Sequence, residues 1–189
     1  KAYELSKKFS INQKLSEAII RESDVVFGGV SGFVITSSNN IMAPNAGIDK
    51  SNSQGKLILY PDDPYQVAEQ IKRKFFLDYN LHVGIIIVDS RLMPARIGTS
   101  GVAIACSGFE PVFDRRATKD LDGNVLKVTF QAIADNLASI ANHKMGEADE
   151  LIPLAIIRES GAKLTDRKIS SEETTITYDE CIYFRGLKK

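Results

Sequence analysis

Tryptophan is absent from these 189 residues, cysteine and histidine occur only twice each, and 24 basic residues are balanced by 24 acidic ones. Each scarcity excludes something. Cys106 and Cys181 stand far apart in no metal-ligand spacing, which excludes a disulfide framework or zinc knuckle and suits a reducing, cytoplasmic setting. The cancelled charge supplies no global field to recruit nucleic acid or an anionic membrane. The longest apolar run, residues 83–88, is far too short to cross a bilayer, and no signal-peptide pattern opens the chain. No Walker A pattern, no GxGxxG before a helix and no HExxH is present. The two histidines read as structural: His82 begins a buried strand, and His143 ends a helix where a cation suits the dipole. No Ser-His-Asp or Cys-His set can be assembled. An initiating methionine is missing too, and Lys1 leads almost at once into helix-like sequence, so an N-terminal segment is expected to precede it.

What remains is a soluble globular composition, 43% hydrophobic and 25% charged, long enough to bury a real core. Ser10 with Gln13 predicts a capping box for a helix over residues 11–22, with Ile11, Leu15, Ala18 and Ile19 on one stripe. Residues 25–30, 33–37 and 41–43 read as short strands, followed by the turn-rich loop 44–52 and a strand at 56–60. Asp63 as N-cap with Pro64 at the first helical position starts a helix that runs to about Tyr79, burying Val67, Ile71, Phe75 and Phe76. Residues 81–88 read as a strand covered on both faces, with Asp89 at its end. From there to Gly101 the pattern predicts a loop of about a dozen residues. A strand at 102–107 follows, with Cys106 as a small buried apolar residue. Next come an irregular charged stretch 108–123, a helix at 128–143 and a strand at 153–158. Strands and helices mix without strict alternation, so the expected class is α+β, with small mixed sheets and packed helices. No internal repeat or linker divides the chain, which reads as one domain over 1–189.

The chemistry-bearing residues are carboxylates. Asp89 ends an apolar strand, and Asp120-Leu121-Asp122-Gly123 forms a paired-aspartate turn ahead of a helix. All three acids can be turn caps. Alternatively, Asp89 and Asp120 converge; at ~4 Å and an effective dielectric near 20 they would repel by roughly 4 kcal/mol, which a proton or a cation removes. Hard carboxylate oxygens without nearby His or Cys favour Mg²⁺ or Mn²⁺, usually completed by substrate phosphates. Arg91, Arg96, Arg115 and Arg116 flank these acids, either as surface solvation or to neutralise phosphate. Gly98-Thr99-Ser100-Gly101 could present backbone N–H groups to an anion.

Together the segments resemble the coenzyme F-420 γ-glutamyl ligase family. The resemblance rests on Asn45-Ala46-Gly47-Ile48-Asp49-Lys50-Ser51-Asn52, Pro61-Asp62-Asp63-Pro64, Val88-Asp89-Ser90 and Val102-Ala103-Ile104. It continues through residues 120–129, Ala132, Ala134-Asp135, Leu137-Ala138, Met145-Gly146-Glu147-Ala148-Asp149 and Ile152-Pro153, in the family's order. It implies an interlocked homodimer and a GTP-dependent ligase that joins L-glutamate to a phosphorylated deazaflavin cofactor, with Mg²⁺ or Mn²⁺ and K⁺. By position it implies Asp89, Asp120 and the backbone of Leu121 at the metal, and Leu92 at the nucleotide. Arg96, Arg115 and Arg116 are expected to balance phosphate, and Asn45, Asp49, Ser51 and Asn52 to help bind substrate. The loop reads Asp89-Ser90-Arg91-Leu92-Met93-Pro94 where the family usually has Asp-Thr-Phe-Gly-Arg-Pro, and Ile97 replaces a typical acid. That change leaves two alternatives: a relative ligating an amino acid to another acid, and a non-catalytic paralogue that binds a nucleotide or flavin-like ligand.

Overall fold

The computed structural model describes residues 1–187 and divides into two compact units. One comprises Lys1–Asp62 with the described part of Thr175–Lys189; the other is Asp63–Thr174. The class is α+β, as expected, but every sheet is small and antiparallel rather than mixed.

In the first unit, helix α1 (Ala2–Phe9) stops where Ser10 turns left-handed at φ 54°. Ser10 therefore closes one helix instead of opening the next. Asn12 caps α2 (Gln13–Glu22), accepting from the Lys14 N–H at 2.8 Å. The predicted stripe is correct: Ile11, Leu15, Ala18 and Ile19 are all buried, and they pack with Phe9, Val34, Ala46 and Ile48. Strands β1 (Val25–Val30), β2 (Phe33–Ser38) and β3 (Ile41–Pro44) form a meander in sequence order. Beyond a one-turn 3-10 helix at Asn45–Gly47, the expected strand at 56–60 reduces to a single bridge, Asp49 with Ile58. An isolated alternation without a neighbour to pair cannot become a ladder. Near the C-terminus, α5 (Ile182–Leu187) brings Phe184 to 4.9 Å from Phe27, which Tyr178 also meets edge-on.

The second unit opens with α3 (Pro64–Tyr79), whose Asp63 cap accepts from the Gln66 N–H at 2.9 Å. This helix buries Pro64 and Ala68, not the large residues expected; Ile71 is 37% and Phe76 44% exposed. Small Ala68 lets the backbone approach its neighbours, and the bulkier side chains flank that contact. Strand β4 (Ile85–Leu92) pairs with β5 (Thr99–Ser107). The ladder starts four residues later than predicted and runs past Asp89, so the dozen-residue loop shrinks to a hairpin connection at 93–98. Leu81 is half exposed, and β4 is partly covered rather than buried on both faces. His82 accordingly precedes the strand, its ring 5.0 Å from Phe76, while His143 lies in the last helical turn as expected.

A second hairpin, β6 (Val112–Asp114) with β7 (Phe130–Ala132), occupies sequence read as irregular and helical. Helix α4 (Ile133–Met145) begins five residues later than predicted. No strand forms at 153–158, where Leu154 and Ile156 are exposed. The core gathers Cys106, Phe109, Ile133, Ala134 and Ile169. Cys106 is buried as expected, and burial pushes its thiol up to about 12.

Candidate functional site

Helix α4 anchors both hairpins of the second unit. Its Asp135 carboxylate accepts the Ala103 N–H of β5 at 3.0 Å, and its Ala134 N–H donates to Pro111 O, next to β6, at 3.0 Å. Ser139 donates to Gly101 O at 2.8 Å and lies 3.0 Å from the Ser100 hydroxyl. At Gly101 the approach is close: a Cβ there would stand 2.5 Å from both Ala138 O and Asn142 Cβ. Residues 99–101 are therefore strand packed against a helix, not a free anion-binding turn.

Asp89 sits in the middle of β4, opposite Val102. By alternation it shares a strand face with Arg91, while Ser90 opposes Gly101 on the other. The Arg91 Nε is buried and has no hydrogen-bond partner among the described residues. An unpaired buried donor beside a carboxylate is costly unless something accepts from it. Leu92 ends the strand and is 57% exposed; Arg96 is exposed in the connecting loop.

Asp120 belongs to the other hairpin, whose pairing extends beyond β6 and β7 through a Lys119–Val125 bridge to a tip at 120–124. The turn therefore crowns a hairpin and does not open a helix. Asp120 Oδ1 accepts from the Asp122 and Asn124 N–H groups at 3.0 and 2.7 Å, and Oδ2 accepts from Asn124 Nδ2 at 3.2 Å. These donors, the Asn124 backbone foremost, hold the exposed carboxyl below the usual carboxylate range. Leu121 is fully exposed at the tip. Arg115 donates twice to Gln131 Oε1, at 3.1 and 2.8 Å, and Arg116 forms a fork with Asp114 while its guanidinium sits 4.4 Å from the Phe130 ring centre. Both arginines are thus held on their own hairpin.

The loop Asn45–Asn52 lies in the first unit. Asn45 Oδ1 accepts the Val34 N–H at 2.9 Å. Burial raises the Asp49 carboxyl, but the Ser51 hydroxyl and the Ser51 and Lys50 N–H groups outweigh it and leave the group lowered. These contacts fix the loop's shape. Among the described residues no group of three or more His, Cys, Asp or Glu gathers closely enough to hold a metal ion. Of the positioning residues, Asp135 was quoted from sequence only as part of the resemblance, and Asn124, Gln131 and Asp114 were given no role. The one available signal was the Asp114-to-Arg116 spacing, which is too common to select.

This α+β arrangement carries Asp89 and Arg91 on one hairpin and Asp120, Arg115 and Arg116 on another, with one helix bonded to both. The chain belongs to the F420-0:gamma-glutamyl ligase family, whose sequence profile matches residues 1–159. It is similar to the coenzyme F420:L-glutamate ligase of Methanocaldococcus jannaschii, 40% identical over 158 residues covering 83% of this chain and 64% of the relative. The enzyme of the same description from Methanopyrus kandleri is 37% identical over 156 residues, 82% of this chain and 62% of the relative. That of Archaeoglobus fulgidus is 33% identical and covers 100% of this chain and 75% of its own length. The chain thus spans a little under two thirds of the first two relatives.

Proposed function

We propose that the protein is a ligase that joins the amine of L-glutamate to a carboxylate of the F420 precursor, a phosphorylated deazaflavin, with GTP as the cosubstrate. The observation that carries this reading is the family match over residues 1–159, a span that contains both Asp89 and Asp120. The chemistry fits. A carboxylate is a poor electrophile; its oxygen attacks the γ-phosphorus, GDP leaves, and the resulting acyl phosphate is attacked by the glutamate amine with loss of phosphate and a proton. Such transfer asks chiefly for positioning and for neutralised oxygens.

The donor set suits Mg²⁺ or Mn²⁺: two carboxylates, Asp89 and Asp120, with the Leu121 carbonyl, all hard oxygens. An ion held by these residues would supply neutralisation of phosphate charge. K⁺ is proposed alongside it on the resemblance alone. Arg91 is suited to donate its unpaired Nε to a phosphate, and exposed Arg96 lies near it in sequence. Arg115 and Arg116 contribute charge from their tethered positions, Leu92 offers its backbone and an apolar contact to the nucleotide, and the loop at Asn45, Asp49, Ser51 and Asn52 contacts substrate. A second reading has one observation in its favour. Leu92, Met93 and Ile97 are 57%, 46% and 107% exposed around the 93–98 connection, an apolar rim suited to a different acid acceptor.

The test incubates full-length protein with GTP, Mn²⁺, L-glutamate and the unglutamylated cofactor, and follows mass increments of one glutamate. Asp89→Asn and Asp120→Asn are expected to lower kcat about 100-fold or more with unchanged thermal melting. Wild-type turnover in either variant overturns the metal assignment. GTP consumption that requires another acid acceptor supports the second reading.

A further inference from the structure

Away from those acids, the second unit contains a cleft of about 500 Å³ between the end of α3, the segment before β4 and residues 164–166. This is the size of a small-ligand site. It adjoins the start of the β4 ladder, and Asp89 lies four residues further along, about 13 Å at strand rise. The cleft is therefore separate from the proposed metal position, and its occupancy is independent of the ligase reading.

Its walls combine three kinds of surface. Phe76, Leu81 and Leu164 line it and remain 44%, 50% and 54% exposed, an apolar lining left wet in the folded chain. Arg73, His82 and Asp166 also line it; none of the three makes a direct hydrogen bond or ion pair among the described residues, although the Arg73 charge acts on Glu69 from a distance. The floor is fixed. Lys72 Nζ pairs with Glu69 at 2.9 Å, and the Ser107 hydroxyl also donates to Glu69. Gly108, at φ +85°, brings its backbone so close that a Cβ would stand 2.5 Å from Val83 O and 2.9 Å from Lys72 Cδ. Lys72 and Glu69 are paired directly with each other, which leaves Arg73 and Asp166 without a direct partner at this partly apolar cleft.

We propose that this cleft binds a small zwitterion with an apolar body, of the amino-acid class. Its carboxylate pairs with Arg73, flanked by His82; its ammonium pairs with Asp166; and its side chain lies against Phe76, Leu81 and Leu164. A singly charged ligand satisfies only one of Arg73 and Asp166, so selectivity comes from pairing two groups of opposite charge at once.

The probe is L-phenylalanine, titrated into the isotope-labelled protein and followed by amide chemical shifts. The singly charged analogues 3-phenylpropionate and 2-phenylethylamine are run in parallel. Saturable shifts at residues 72–83, 108 and 164–166 are expected, with each analogue at least fivefold weaker. Arg73→Ala should weaken L-phenylalanine about tenfold, the scale of one charge-assisted contact, and abolish its advantage over 2-phenylethylamine. Asp166→Ala should abolish its advantage over 3-phenylpropionate. Both side chains are exposed, so neither change threatens folding, and thermal melts verify this. No saturable shift, equal binding of all three compounds, or insensitivity to both substitutions overturns the proposal.

Discussion

Arg167 donates to Glu110 and, at 2.6 Å, to Glu173, joining three stretches that carry little regular structure. The guanidinium holds both carboxyls below their ordinary value of 4.5, foremost through its side-chain hydrogen bonds, and is itself raised. A depressed folded value means that the stabilisation is complete above 4.5, the unfolded value, and disappears as pH falls through the folded one. Arg167→Ala should therefore lower the Tm by about 2 °C near pH 7, a gap that narrows as pH falls below 4.5 and through the depressed folded values. Calorimetry from neutral to acid pH checks it; a gap that widens on acidification contradicts the assignment. This triad was not legible in the sequence, because Glu110 and Arg167 are 57 residues apart. Cys106 was legible, since its apolar neighbours announced a buried strand. Asp89 and Asp120 could be picked out as acids on a strand and a turn. The groups that hold Asp120 could not, because a tip's hydrogen bonds depend on how the hairpin closes.

Among elements, the close contact of α4 with β5 at Gly101 is a constraint that substitution can test. Gly101→Ala must displace either the Ala138 carbonyl or the Asn142 side chain, each 2.5 Å from the new Cβ. A loss of about 1–3 kcal/mol is expected from such overpacking. Gly186→Ala, whose Cβ meets nothing within 4 Å, serves as the control. Equal denaturation midpoints for the two variants would show that the helix yields without cost. Elements with local signals were read correctly: the α2 stripe, the Asp63–Pro64 start of α3 and the three short strands β1 to β3. The three-residue strands β6 and β7 were missed, and 56–60 and 153–158 were over-read. Strand formation needs a partner, and partner choice is written in distant residues.

For the whole molecule, the segment after α4 is the telling feature. Leu151, Leu154 and Ile156 are 93%, 61% and 71% exposed there, without helix or strand of their own. Apolar side chains in such a run invite a cover. The family resemblance implies a homodimer, and a second copy laid over this segment is the cover to test for. Sedimentation equilibrium at micromolar concentration should return twice the chain mass, and Leu154→Asp should shift the population toward one copy. A single-copy mass for the unaltered full-length protein would refute this. Nothing in periodicity foretold that these residues would lie bare, since a strand partner was assumed within the chain.

The six-residue connection 93–98 leads back into a ladder that α4 clamps from behind. Its composition can drift while the clamp stays put. A lineage, or an engineer, could rewrite the rim in small steps without first solving the folding problem again.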